Sequence, residues 1–147
     1  MGATPGREGM AAWRAFLEAH ARVTAQLERE LMAAHGFGLP WYDVLVQLNE
    51  APERQLRMTE LASAVLLSKS GLTRVIDRML EAGLVERMAD RGDRRGVVVT
   101  LTAQGLNQLR TAAPTHLEGI QQHFAGLLEG DEAKVLAGAL GRVAGPG

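Results

Sequence analysis

Two clusters of polar side chains in the middle of the sequence have the types and spacing to do chemistry. The first is Ser68, Lys69 and Ser70, followed at helical spacing by Thr73, Arg74 and Arg78; the second is the run holding Arg91, Asp93, Arg94 and Arg95, interspersed with Gly92 and Gly96. Their chemistry is the recognition of anions and hydrogen-bonding edges. A helix that opens on hydroxyls and a lysine presents them beside the free amides of its first turn, where phosphates and base edges are well received. Bond-making constellations are missing: the sequence has no H-E-x-x-H, no G-x-S-x-G and no glycine-rich phosphate loop. Without cysteine there is no thiol nucleophile, disulfide, thiolate metal site or thiol redox switch. His20, His35, His116 and His123 are scattered, although His116 and His123 share a helix flank. A zinc site needs three or four convergent ligands, and no compact set is present. The expectation is therefore no enzymatic activity, no metal and no cofactor.

The elements that must position these clusters can be read around them. Over residues 68–83, Leu72, Val75, Ile76, Met79 and Leu80 recur at helical spacing and leave Ser70, Arg74, Asp77, Arg78 and Glu81 on the other face. Ser68 suits the N-cap, and Gly83 before Leu84 suits the stop. Gly71 inside this helix costs about 1 kcal/mol relative to alanine and permits a close approach, to protein or to DNA. Arg74 and Asp77, one turn apart, can form a surface ion pair worth under about 1 kcal/mol. The N-terminal half of such a helix is the part that enters a groove, which assigns Ser68, Lys69, Ser70, Thr73 and Arg74 to the groove and Arg78 to phosphate. A shorter helix precedes it at about 59–66, with Thr59 as a simple N-cap and Ala62 where a capping box would need an acid.

A hairpin follows at once. Val97, Val99 and Leu101 alternate with Val98 and Thr100, residues 84–88 supply the partner strand, and residues 89–96 form the tip. Asp93 and Arg95 are two apart across the turn, so their side chains can lie on one side of it, with Gly92 and Gly96 freeing the backbone. Helix, helix, hairpin is the order of a winged helix-turn-helix.

These residues resemble the multiple antibiotic resistance regulator (MarR) family of bacterial transcription factors. The likeness lies in the helix written S-x-S-x-L-T-R-x-I-D-R-M, the A-G-L-V exit, the wing D-R-x-D-R-R, and V-x-L-T-x-x-G leading into the next helix; the helical layout fits over residues 10–144. The resemblance implies a mainly α fold: a winged helix-turn-helix with long N- and C-terminal dimerisation helices and a small β-hairpin wing. It implies one domain over 1–147, with a DNA-binding lobe at 58–101 and a dimerisation and effector region at 10–50 and 102–144. It implies a ligand-responsive homodimer, a repressor on a pseudo-palindromic site in double-stranded DNA. In the family the aspartate of the matching D-x-R braces an arginine that enters the minor groove, here Asp93 and Arg95. Small aromatic or phenolic effectors occupy a cleft between dimer helices and winged lobe, for which Trp13, Phe16, His20, Trp41, Tyr42 and His116 are of the right type. The same residues also suit an ordinary core, with His20 satisfied by a neighbouring helix. A winged-helix module that contacts protein, through the same exposed helix and wing, is the competing reading of the whole.

Beyond the lobe, a helix is expected at 10–34 after a frayed start at 1–9, with Trp13, Phe16, Leu17, His20, Val23, Thr24, Leu27 and Leu31 as one stripe. That stripe is longer than a small motif can cover. A second helix, opening at Pro40 and ending near Asn49, turns Trp41, Val44, Leu45 and Leu48 inward with Tyr42 and Val46 to one side. Residues 50–54 are a loop, and 56–58 a short strand for the wing's sheet. After the wing, Leu106, Leu109, Ala113, Leu117, Ile120, Phe124 and Leu127 keep one helical phase over 102–128 despite Pro114, the pattern of one kinked helix. Gly130 and Asp131 break and recap the chain before a last helix at 132–143.

At 147 residues, 46% hydrophobic and 22% charged, the chain has the balance of one globular domain with a real core. No stretch approaches the roughly 20 apolar residues of a membrane span, and the start lacks the order of a signal peptide, so a cytoplasmic protein without a membrane partner is expected. Net charge is −1, yet residues 54–95 hold nine Lys and Arg against six Asp and Glu, while the remainder holds seven against eleven. The positive charge is concentrated where the winged motif lies.

Overall fold

The computed structural model describes residues 2–65 and 67–146. In order, the elements are α1 (Arg7–His35), α2 (Leu39–Glu50), a 3-10 turn (Pro52–Arg54), β1 (Gln55–Arg57), α3 (Met58–Ala64), α4 (Lys69–Glu81), β2 (Val85–Ala89), β3 (Val97–Leu101), α5 (Ala103–His123), a second 3-10 turn (Ala125–Leu127) and α6 (Glu132–Ala144). The chain forms two compact units, one of residues 31–114 and one of residues 1–30 with 115–147. The fold is the mainly α, winged helix-turn-helix class the sequence implies.

The unit of residues 31–114 carries the wing. Its sheet is antiparallel in the order β1, β3, β2, with Leu56 opposite Val99 and Arg87 opposite the same residue from the other side. The strand before α3 thus exists, one residue earlier than expected. Leu31, Val44, Leu45, Leu48, Leu61, Leu72, Ile76, Met79, Val85 and Val99 are buried together in one core. On α4 the buried set is Leu72, Ile76 and Met79, with Val75 and Leu80 partly covered, so the apolar face read from spacing is the packed face. Ser68 caps this helix by accepting the Gly71 amide at 3.1 Å. A side chain at 71 would place Cβ 3.1 Å from Ser68 Oγ, a contact a small shift of the hydroxyl relieves, so the neighbouring side chains and backbone do not demand glycine here. At the other end Gly83 has φ +77°, and the Leu84 and Gly83 amides donate back to Met79 and Leu80, closing the helix in a Schellman motif.

Several local expectations are corrected. Tyr42 is buried with Val44, Leu45 and Leu48, while Trp41 is only partly covered and stacks on Phe37 at 5.9 Å. The helix α3 is capped from Arg57: its backbone amide donates to Glu60 at 3.0 Å, the acidic half of a capping box that Thr59 was expected to lack. The expected end of that helix at Leu66 lies outside the described residues. Thr102 is the joint into α5. Its hydroxyl donates to the Gly83 carbonyl at 2.7 Å and accepts the Gly105 amide at 2.9 Å, tying the exit of α4 to the entry of α5.

The unit of residues 1–30 and 115–147 is helical. The helix α1 begins at Arg7, three residues earlier than expected, with the Met10 amide bonded to Gly6, so residues 7–9 are not frayed. Helix α5 runs continuously through Pro114, as its phase required, but ends at His123; Phe124, at φ −138° and ψ −73°, leaves helical geometry and Leu127 falls in the 3-10 turn. Before α6 the side-chain bond is from the Glu129 amide to the Glu132 carboxylate (2.6 Å), and Asp131 does not cap. Gly119 lets α5 approach α1: a Cβ there would lie 2.7 Å from Leu27 Cδ2. Leu27 is the one large apolar side chain buried in this unit among the described residues, whereas Trp13, Phe16, Leu17, Leu117, Leu127 and Val143 are exposed, Val143 to 83%. No helix among the described residues is long and apolar enough to cross a membrane.

Candidate nucleic-acid interface

The polar face of α4 and the tip of the wing meet in one groove of about 490 Å³ within the winged unit, lined by Lys69 and Thr73 from α4, Asp93 and Arg95 from the tip, and Arg57 and Arg87 from β1 and β2. Four cations thus flank the groove. Local bonding decides what each side chain has left to offer. Ser68 Oγ is occupied as the cap and lies 3.3 Å from Ser70 Oγ; Thr73 donates to the Lys69 carbonyl at 2.8 Å, leaving its oxygen as an acceptor. Lys69, Ser70, Arg74 and Arg78 are exposed, and neither arginine is ion-paired among the described residues. The Arg74 to Asp77 pair does not form. Asp77 instead meets Arg87 at 3.3 Å, a bridge from α4 to β2 that frees the Arg74 guanidinium.

The wing tip is built from two successive aspartate turns. Asp90 Oδ1 accepts the Gly92 amide at 3.0 Å, and Asp93 Oδ1 accepts the Arg95 amide at 2.9 Å. The Asp90 amide donates to the Gly96 carbonyl and the Gly96 amide to the Asp93 carbonyl, closing the loop. Asp93 therefore engages Arg95 through the backbone, where a side-chain brace was expected. Neither Gly92 nor Gly96 has positive φ; Gly96 is required by space, since its Cβ would stand 3.0 Å from that of Asp90. Arg91, Asp93, Arg94 and Arg95 are all exposed. Sequence reasoning missed Arg57 and Arg87. Both belong to the positive charge excess of residues 54–95, but only the strand register places them at the groove.

The residues proposed for an effector fall into separate settings. In the helical unit, Trp13, Phe16 and His20 follow one another along α1, with neighbouring rings tilted and 6.1 Å apart. Phe16 and His20 line an apolar groove of about 320 Å³ with Leu27, Ile120, Phe124 and Leu140. His116 is half-buried on α5, and burial lowers its pKa below the ordinary value, with the Glu30 carboxylate opposing. Glu30 meets His123 at 2.5 Å; that bond, with a second from Gln26, holds its carboxyl below the usual range. In the winged unit Tyr42 lines a different cavity of about 370 Å³ with Val46, Arg54, Leu106 and Arg110. Burial, and then the Asp43 carboxylate, raise its pKa. Trp41 is engaged with Phe37. No group of three or more metal-ligating side chains converges among the described residues.

Together, a capped helix with an open polar face and a basic hairpin sharing one groove define a winged helix-turn-helix. Comparison with known proteins agrees. The MarR family model matches residues 35–96. The structure of AbsC, a MarR family transcriptional regulator from Streptomyces coelicolor, is 36% identical, with TM-score 0.88 and coverage of 97% of this chain and 96% of that one. Sco3205, a MarR family regulator from the same organism solved in complex with DNA, is 32% identical, with TM-score 0.90 over 98% of this chain and 90% of that one. The transcriptional repressor IacR of Pseudomonas putida is 31% identical over 110 residues, 75% of this chain; the chain spans only 64% of that regulator's length. The chain belongs to the MarR family.

Proposed function

We propose that the chain is a DNA-binding transcription regulator, a repressor that acts as a homodimer on a pseudo-palindromic operator and is released by a small aromatic or phenolic ligand. The observation that carries the DNA reading is the groove where Lys69 and Thr73 of α4 face Arg95 of the wing. A helix N-terminus suits the major groove, and an exposed arginine on a hairpin suits the narrow, strongly negative minor groove beside it. On this reading Ser68, Lys69, Ser70, Thr73 and Arg74 face the bases, Arg78 meets phosphate, and Arg91, Arg94 and Arg95 serve the wing. Sco3205 supports it as a relative solved on DNA, and IacR as a relative named a repressor. The dimer reading rests on the helical unit, whose exposed Trp13, Phe16, Leu17, Leu117 and Leu127 call for an apolar partner.

The test is binding to fragments of the source genome across a salt series, with sedimentation of the same samples. The expected result is a dimer protecting a two-fold site with half-sites about 10 base pairs apart, its affinity falling steeply with salt. A monomer at micromolar concentration bound to one half-site overturns the dimer. Salt-insensitive association with protein, and no protected DNA, overturns the DNA reading and leaves the winged-helix interaction module.

A further inference from the structure

We propose that Arg57 is a positioning residue for the wing, acting through Asp90 to hold the tip in the conformation that presents Arg95 to DNA. The inference rests on the DNA-binding reading above. Within the tip, Arg91, Asp93, Arg94 and Arg95 are all exposed, but the Asp90 side chain is turned inward, 10% accessible. Its carboxylate does two things at once. Oδ1 closes the first turn on the Gly92 amide, and Oδ2, buried and without a hydrogen bond among the described residues, pairs by charge with Arg57 Nε at 2.7 Å. The packing around it is close on the Gly96 side, where a Cβ would lie 3.2 Å from Oδ2.

Arg57 is fixed in turn. It sits opposite Val98 in the β1 to β3 register, and its amide is held by Glu60 at the start of α3. One side chain therefore joins the first residues of the helix-turn-helix to the turn that precedes Asp93 and Arg95. A carboxylate largely withdrawn from water needs its cation; without one it must be rehydrated, and opening the tip does so. Arg57 is itself 58% accessible and lines the groove, so a direct phosphate contact is the competing role.

The two roles separate in a double-mutant cycle on an operator fragment, read by affinity and by hydroxyl-radical footprint. Arg57→Gln should weaken binding about tenfold and erase the minor-groove protection under the wing, while protection under α4 persists, as expected when one partly buried ion pair organises the tip. In an Asp90→Asn background the same substitution should cost less than about twofold, because the two residues act as one unit. Arg57→Lys, which keeps a cation within reach of Asp90, should retain most of the affinity and the wing footprint. Equal losses from Arg57→Gln in both backgrounds would make Arg57 a phosphate contact and overturn the proposal, as would an unchanged wing footprint. If the unsubstituted protein protects no fragment at all, the DNA reading fails and takes this inference with it.

Discussion

Asp93 offers a prediction in which two effects oppose each other in sign. Asp93→Ala removes a negative charge from a tip expected to lie against phosphates, which alone favours binding. At about 10 Å in water that repulsion is roughly 0.4 kcal/mol, and a Debye length of about 8 Å at physiological salt reduces it further. The same substitution removes the acceptor that the Arg95 amide uses at 2.9 Å. A hydrogen bond of this kind is worth about 0.5–1.5 kcal/mol net, and its loss lets the tip populate conformations in which Arg95 is misdirected. The turn outweighs the charge, so Asp93→Ala should weaken operator binding about two- to tenfold. Asp93→Asn separates the two contributions: it keeps an oxygen for the Arg95 amide and discards the charge, and should bind as tightly as the parent or slightly tighter. Fluorescence anisotropy on a labelled operator at two salt concentrations measures both, with melting temperatures to confirm intact folds and Arg95→Ala as the strongly weakened reference. Tighter binding by Asp93→Ala at moderate salt would refute the reasoning, since the aspartate would then act on DNA by repulsion alone.

Gly105→Ala should destabilise the protein by about 1–2 kcal/mol in urea unfolding, because a Cβ there overlaps the Leu84 carbonyl and stands 2.7 Å from Leu101 Cδ1, outweighing the roughly 1 kcal/mol that alanine gains in a helix. Gly141→Ala, in α6 with nothing within 4 Å, should instead stabilise by up to about 1 kcal/mol; a stabilised Gly105→Ala would show that the clash relaxes. Ser68→Ala should cost about 1 kcal/mol by exposing the Gly71 amide, checked by the same unfolding measurement. His116 is held below its ordinary value of 6.5 by burial, so the folded state binds its proton less readily than the unfolded chain does. Its contribution is fully present above 6.5 and declines as pH falls below that value; between pH 7.5 and 5.5 the parent should lose more stability than His116→Gln, and parallel curves would remove the effect.

What the sequence revealed followed the reach of its signals. The helix α4 was legible from cap to stop because Ser68, the Leu72, Ile76 and Met79 stripe, and Gly83 act within a few residues of themselves. Continuity of α5 through Pro114 was legible from phase, since a stripe that survives a proline belongs to one helix. Its end at His123 was not, because Phe124 and Leu127 remain in apolar phase after the backbone has left helical geometry. Trp41 and Tyr42 were exchanged for a similar reason. Both are large aromatic neighbours at the start of α2, and only the position of Phe37, outside the helix, decides that Trp41 stacks there while Tyr42 goes under.

The site divides along the same line. The motif residues Thr102 and Gly105 prove to be a joint: the threonine hydroxyl bonds both the Gly83 carbonyl and the Gly105 amide, and the glycine leaves room for the Leu84 backbone, so each residue answers a physical demand made by the chain some twenty positions earlier. The spacing of Asp93 and Arg95 suggested that their side chains meet, but could not show that the bond runs to the Arg95 amide. Arg57 and Asp90 were beyond reach of spacing, because their pairing follows from β1 lying against β3, a register set by Leu56 and Val99 meeting in the sheet. A wing of this kind therefore has two sources of order: turns written locally in its aspartates and glycines, and one ion pair imported from the strand that opens the helix-turn-helix. Substitutions in the first should change the wing alone, whereas substitutions at Arg57 also reach the start of α3, through the amide that Glu60 holds.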